Sequence, residues 1–175
     1  RARAIAAEVL SGGNATLNAT NTALLIRAKS SLGLGQYAQG VQELRATTAA
    51  ASDENGAEAQ YLLAEVQFQQ KNYKEAREEA FLVPKIYGAY ERWVGYSFLL
   101  LADVFSAQGE VYQAKATLES LEKSPLPDIV AEARRKLANI DAGGKTDAAP
   151  GSDNPNANPS GKSRRARSEA PADGK

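Results

Sequence analysis

Three six-residue stretches of the chain share one pattern: GQYAQG at 35–40, KNYKEA at 71–76 and GEVYQA at 109–114. Each opens on a polar or turn-forming pair, places an aromatic or β-branched residue third, and closes on Gly or Ala. Twelve residues before each closing residue stands an Ala: Ala28 before Gly40, Ala64 before Ala76, Ala102 before Ala114. Four residues after it come Leu44, Ala80 and Leu118. A short turn between two antiparallel helices accounts for the whole set. Small residues are needed where two helix axes approach to about 8–10 Å. Gly35 and Gly109 suit a helix C-cap followed by a tight turn. Tyr37, Tyr73 and Val111 are expected to open the second helix of each pair and wedge against the first.

The 12-residue offset is constant, whereas the full period is 36 and then 38 residues. The additional residues therefore lie between one pair and the next, which is how a fixed unit stacks with variable spacers. Apolar residues before Asp141 follow 3- and 4-residue steps (Leu62 and Val66; Leu101, Val104 and Phe105; Leu118 and Leu121), and β-branched residues do not alternate. The body reads as all-helical. Pro84 is expected to end the second helix of the middle pair near Val83, and Gly88 to loop before a long helix from about Tyr90. Residues 1–10 read as the second helix of a preceding half-unit. After SPLP, the stripe Val130, Ala133, Leu137 and Ile140 reads as a capping helix over 127–142. Asp128 is its expected N-cap, and Arg134, Arg135 and Lys136 lie largely opposite the stripe.

These residues resemble tetratricopeptide repeats. The best matching stretch is AEAQYLLAEVQFQQKNYKEAREEA (57–80), followed by GYSFLLLADVFSAQGEVYQAKATLESL (95–121). In 20–48, Arg27 and Ser31 stand where that family carries apolar residues. The resemblance implies an all-α αα-hairpin solenoid, a right-handed superhelix with pairs at about 19–50, 55–84 and 90–123. Phrases such as LLAEVQFQQKNYKEA also resemble multi-repeat bacterial cell-envelope proteins, which implies a periplasmic or outer-membrane-associated setting within a larger protein.

Composition narrows the chemistry. Cys, Met and His are absent, so disulfides, thiol catalysis and Ser-His catalysis have no residues to use, and no metal site or cofactor is expected. An abrupt helical start without Met reads as a processed chain or a piece of a longer one. The longest apolar run, at Phe98–Ala102, is far too short to span a bilayer. Lys plus Arg equals Asp plus Glu at 21 each, so no overall field draws the chain to nucleic acid.

From Gly143 onward no Val, Leu, Ile, Phe, Tyr or Trp occurs. That composition cannot offset the entropy of ordering, so 143–175 reads as a disordered tail. Its KSRRARS cluster lacks interleaved aromatics for stacking on bases, which disfavours a nucleic-acid adaptor. No phosphate loop is present: GLG at 33–35 is followed by Gln-Tyr, and GGKT at 143–146 lacks the earlier glycine. No catalytic residue and no small-molecule substrate are expected.

What the resemblance implies about binding is a groove lined by the first helix of each pair. Carried over residue by residue, it comprises Thr22, Leu25, Lys29 and Leu32, then Glu58, Tyr61, Glu65 and Phe68, then Tyr96, Leu99, Asp103 and Ser106. The Lys/Asn set that clamps a peptide carboxylate in some relatives is missing. Tyr61, Phe68 and Tyr96 are expected to be partly exposed there beside Glu65 and Asp103. Such a strip suits a non-enzymatic protein–protein scaffold. The alternatives are a purely architectural solenoid segment with no groove ligand, or an adaptor acting through the tail.

Overall fold

The computed structural model describes residues 1–12 and 15–143. Among them the chain forms eight α-helices and no strand. These are α1 (Ala2–Ser11), α2 (Leu17–Gly33), α3 (Tyr37–Ala50), α4 (Glu54–Gln69), α5 (Tyr73–Ile86), α6 (Glu91–Ala107), α7 (Val111–Ser120) and α8 (Pro127–Asp141), with a 3₁₀ turn at Leu121–Lys123. The expected tail beyond Gly143 lies outside the described residues.

Helices α2–α3, α4–α5 and α6–α7 pair as hairpins, and each second helix also packs on the next first helix: α3 on α4, α5 on α6, α7 on α8. First helices touch in series, α2 to α4, α4 to α6 and α6 to α8. The architecture is an αα-hairpin solenoid, and its core is one continuous cluster running from Leu25 to Ile140.

All three hairpins turn in the same way. The second residue after each first helix has positive φ: Gly35 at 73°, Lys71 at 63° and Gly109 at 79°. The next N–H reaches back to a carbonyl five residues earlier, Gln36 to Ser31, Asn72 to Gln67 and Glu110 to Phe105, at 2.8–2.9 Å. This double-bonded helix ending satisfies carbonyls that the helix itself leaves open. Beyond each turn the helix axes converge on small residues. Ala28, Ala64, Ala76, Ala102 and Ala114 are all fully buried. At Gly40 a Cβ would lie 2.4 Å from Leu32 Cδ2, so even one methyl would displace Leu32.

The first hairpin replaces apolar contacts by a polar cluster. Buried Ser31 donates to the Glu43 carboxylate, the Arg27 guanidinium stands 3.2 Å from the same carboxylate, and the Thr47 hydroxyl donates to the Glu43 carbonyl at 2.8 Å. That is the physical account of why Arg27 and Ser31 depart from the apolar pattern of the other two units.

Four local expectations need correction. Helix α5 does not end before Pro84 but runs through it to Ile86. Pro84 costs only one N–H bond so near the helix end, and the extra turn carries Tyr87 into the joint between hairpins. There Tyr87 is buried and its hydroxyl donates to Ala51 O at 3.1 Å. Tyr37 and Val111 open their helices but are each 47% exposed, so only Tyr73, tilted against Phe68 at 5.7 Å between ring centroids, packs as a wedge. Asp128 is not the N-cap of α8, since Leu126 holds that position with Pro127, whose fixed φ suits the first turn, directly after it. The buried stripe of α8 is Ile129, Ala133, Lys136 and Ile140, rotated one residue from the expected set.

Candidate functional site: the first-helix face

The first helices present one residue set to a common side, and burial sorts that set into two layers. Leu25, Tyr61 and Leu99, at the same point of successive units, are buried at 5% exposure or less. Asp103 and Ser106 are also buried. Six of the residues carried over as groove-lining, these five and Glu65, thus form the floor beneath the surface, and the expected partial exposure of Tyr61 does not hold. The ring is held too tightly between α4 and α6 for solvent to reach it. The accessible layer consists of Thr22, Lys29, Glu58, Phe68 and Tyr96, with Leu32 half-buried at one edge.

Trp93, which the repeat pattern did not single out, joins this layer. Its ring lies 5.6 Å from Tyr96 and 5.7 Å from Tyr61, and Tyr61 lies 5.9 Å from Tyr96, so three tilted or edge-on rings knit α4 to α6. Trp93 and Tyr96 are half-buried over the buried Tyr61. The Trp93 Nε1 and the Tyr61 hydroxyl have no hydrogen-bond partner within the fold. The only sequence signal for Trp93 was its place one turn before Tyr96 on the same helix side.

Charges are placed unequally along the face. Lys29 of α2 donates to Glu58 of α4 at 2.6 Å. Glu65, one step further along α4, is 8% exposed, and no ion pair or hydrogen bond joins it to another described side chain. Burial raises its pKa to about 7, partly countered by the charge of Lys29. Burial likewise pushes the Tyr61 hydroxyl well above its usual range, and the nearby Glu65 and Asp103 charges add to the effect.

At the next unit the corresponding acid has a different fate. Lys136 of α8 donates to both Asp103 carboxylate oxygens, at 2.7 and 2.9 Å, and both side chains are fully buried. Arg92 and Asp128, 2.7 Å apart, tie the start of α6 to the start of α8 at the surface. Ile129 packs over Gly95, where a Cβ would come within 3.0–3.2 Å of its side chain. Between these contacts a recess of about 270 Å³ remains, lined by Tyr96, Leu99, Ile129, Glu132 and Arg135 among others.

Among the described residues no helix is long and apolar enough to cross a membrane, and no group of three side chains has the makings of a metal site. No curated protein and no solved structure matches the chain. A family model does match, over residues 58–81 and 96–125, just under a third of the sequence. These stretches are similar to the tetratricopeptide repeat, a unit that generally mediates protein–protein interaction, and they carry the middle and last hairpins.

Proposed function

We propose that this chain is a non-enzymatic scaffold that holds a segment of another protein against the first-helix face, centred on α4 and α6. The observation that carries the reading is the half-buried pair Trp93 and Tyr96 resting on buried Tyr61. Aromatic anchors on a rigid support are what interface hot spots are made of. Glu58 at the edge of this face favours a partner segment that carries Lys or Arg next to an apolar residue. The resemblance of LLAEVQFQQKNYKEA and its counterpart to envelope proteins supports a place in a larger bacterial envelope assembly. Fractionation of the native cell tests that part separately.

The face is tested with a photo-crosslinking amino acid at Tyr96 and, as a control, at exposed Tyr112 on α7. A discrete adduct from position 96 that Trp93→Ala weakens and position 112 does not give supports the reading. Equal adducts from both positions, or none from position 96 in native cells, would favour the architectural alternative.

A further inference from the structure

Glu65 and Asp103 hold the same register position on α4 and α6, 38 residues apart, and the last hairpin shows what that position accepts. There Asp103 takes the ammonium of Lys136 on both carboxylate oxygens, at 2.7 and 2.9 Å, with neither side chain exposed. Glu65 has the burial without the lysine. It is 8% exposed, and among the described residues no side chain bonds to it. The bases of the flanking first helices are already engaged. On α2, Lys29 pairs with Glu58 at 2.6 Å and Arg27 with Glu43 at 3.2 Å. On α6 the one base, Arg92, pairs with Asp128 at 2.7 Å.

The Glu65 carboxylate is also within reach from outside. The unpartnered side-chain atoms that the fold seals from water include the Tyr61 hydroxyl and the Trp93 Nε1, but neither oxygen of Glu65. A mostly buried carboxylate that still touches water and has no partner is a seat for one cation. Its surroundings on the face are aromatic. Half-buried Phe68 follows it one turn along α4, and half-buried Tyr96 stands against Tyr61, one turn before it. Lysine suits that shape, because its apolar stem can lie along rings while its ammonium goes on to the carboxylate.

On the reading of the first-helix face as a partner surface, on which this inference rests, we propose that Glu65 seats one lysine of the bound segment, its ammonium paired as Lys136 is paired to Asp103. The pairing brings a pH dependence. The titratable groups around Glu65 are Glu58 and Tyr61 of α4 and Tyr96 and Asp103 of α6. Glu43 and Arg45 of α3, Arg77 and Glu79 of α5 and Asp103 are all held in ion pairs of their own. Burial lifts the Glu65 pKa to about 7, and Lys29 is the one charge that acts against the lift. Lysine pairs with the ionised carboxylate only, so its affinity for the seat should rise about tenfold from pH 6 to pH 8.

The probe is Nα-acetyl-lysine N-methylamide added to the full chain, with its Nζ-acetylated form as the uncharged control. The readout is the NMR shift of the Glu65 carboxyl carbon, assigned with Glu65→Gln. The expected result is a saturable shift at Glu65, about tenfold tighter at pH 8 than at pH 6, and a lowered titration midpoint for that carboxyl. The acetylated form should do neither, and exposed Glu119 on α7 should move far less. Equal shifts from the two probes, an equal response at Glu119, or no response at Glu65 would overturn the assignment. So would a Glu65 midpoint that rises when residues 144–175 are deleted, because the chain's own basic cluster would then hold the seat. The probe needs no partner protein, so its failure leaves the crosslink from position 96 to decide the face on its own.

Discussion

The hairpins α4–α5 and α6–α7 place an acid at the same point of the first helix, 38 residues apart, and treat it in opposite ways. Asp103 meets Lys136 from the following helix, and the pair is sealed from water. Glu65 is followed by α6, which turns Trp93 and Tyr96 towards α4 and supplies no cation, so its carboxylate is buried with only the distant help of Lys29. One register position thus serves as a lock for the closing helix in the last unit and as a titratable group under the aromatic layer in the middle one. The turns differ in the same spirit. Gly109 adopts its positive φ freely, whereas Lys71 holds 63° with a side chain attached.

The sharpest way to break this comparison is at the lock. Lys136→Met would leave Asp103 buried without its lysine, with an expected loss of about 3–5 kcal/mol in urea denaturation. Asp103→Leu combined with Lys136→Met should recover most of that loss, since a well-packed apolar pair removes the desolvation penalty along with the attraction. If the single and double variants are equally unstable, the pair is not what seats α8.

The joints come next in size. Ala76→Leu and Ala114→Leu should each cost about 1–3 kcal/mol by overpacking, because both sites are fully buried at helix crossings. Gly40→Ala should cost less. The better helix propensity of Ala, about 1 kcal/mol, offsets the displacement of half-buried Leu32. Equal denaturant midpoints for wild type and Ala76→Leu would contradict the crossing. The smallest effect belongs to the turn. Lys71→Gly should stabilise by about 0.5 kcal/mol through relief of the left-handed backbone, while Gly109→Lys should destabilise, and a thermal melt of each variant checks both signs.

Much of the architecture was legible because its determinants are local. A glycine at a turn, an alanine at a crossing and the fixed offset between them are properties of neighbouring residues, and the helices do break at 34–36, 70–72 and 108–110. The site was less legible because burial is decided by the neighbour. Tyr61 and Tyr96 look alike in sequence, yet only α6 determines that Tyr61 becomes floor and Tyr96 surface. Lys136 was assigned to solvent for being charged, which moved the stripe of α8 by one residue. The spacing of Ile129, Ala133, Lys136 and Ile140 fits a helix equally well, and only the carboxylate opposite distinguishes the two readings. Pro84 obeyed the distant demand of Tyr87 for a place against Ala51 rather than its own preference.

The central contrast, a locked acid beside a titratable one, is tested most directly by the pH dependence of stability. Glu65 has a folded pKa of about 7 against an ordinary value of 4.5. The folded state therefore holds a proton that the unfolded state has released across that interval, and stability must fall as pH rises from 4.5 to 7. The chain contains no His to titrate in the same window. Urea midpoints of wild type and Glu65→Gln, taken at half-unit steps from pH 4.5 to 7.5, make the comparison. The expected result is a decline in wild type that is largely abolished in Glu65→Gln, with the variant the more stable protein at pH 7.5. Parallel curves for the two proteins would contradict the account.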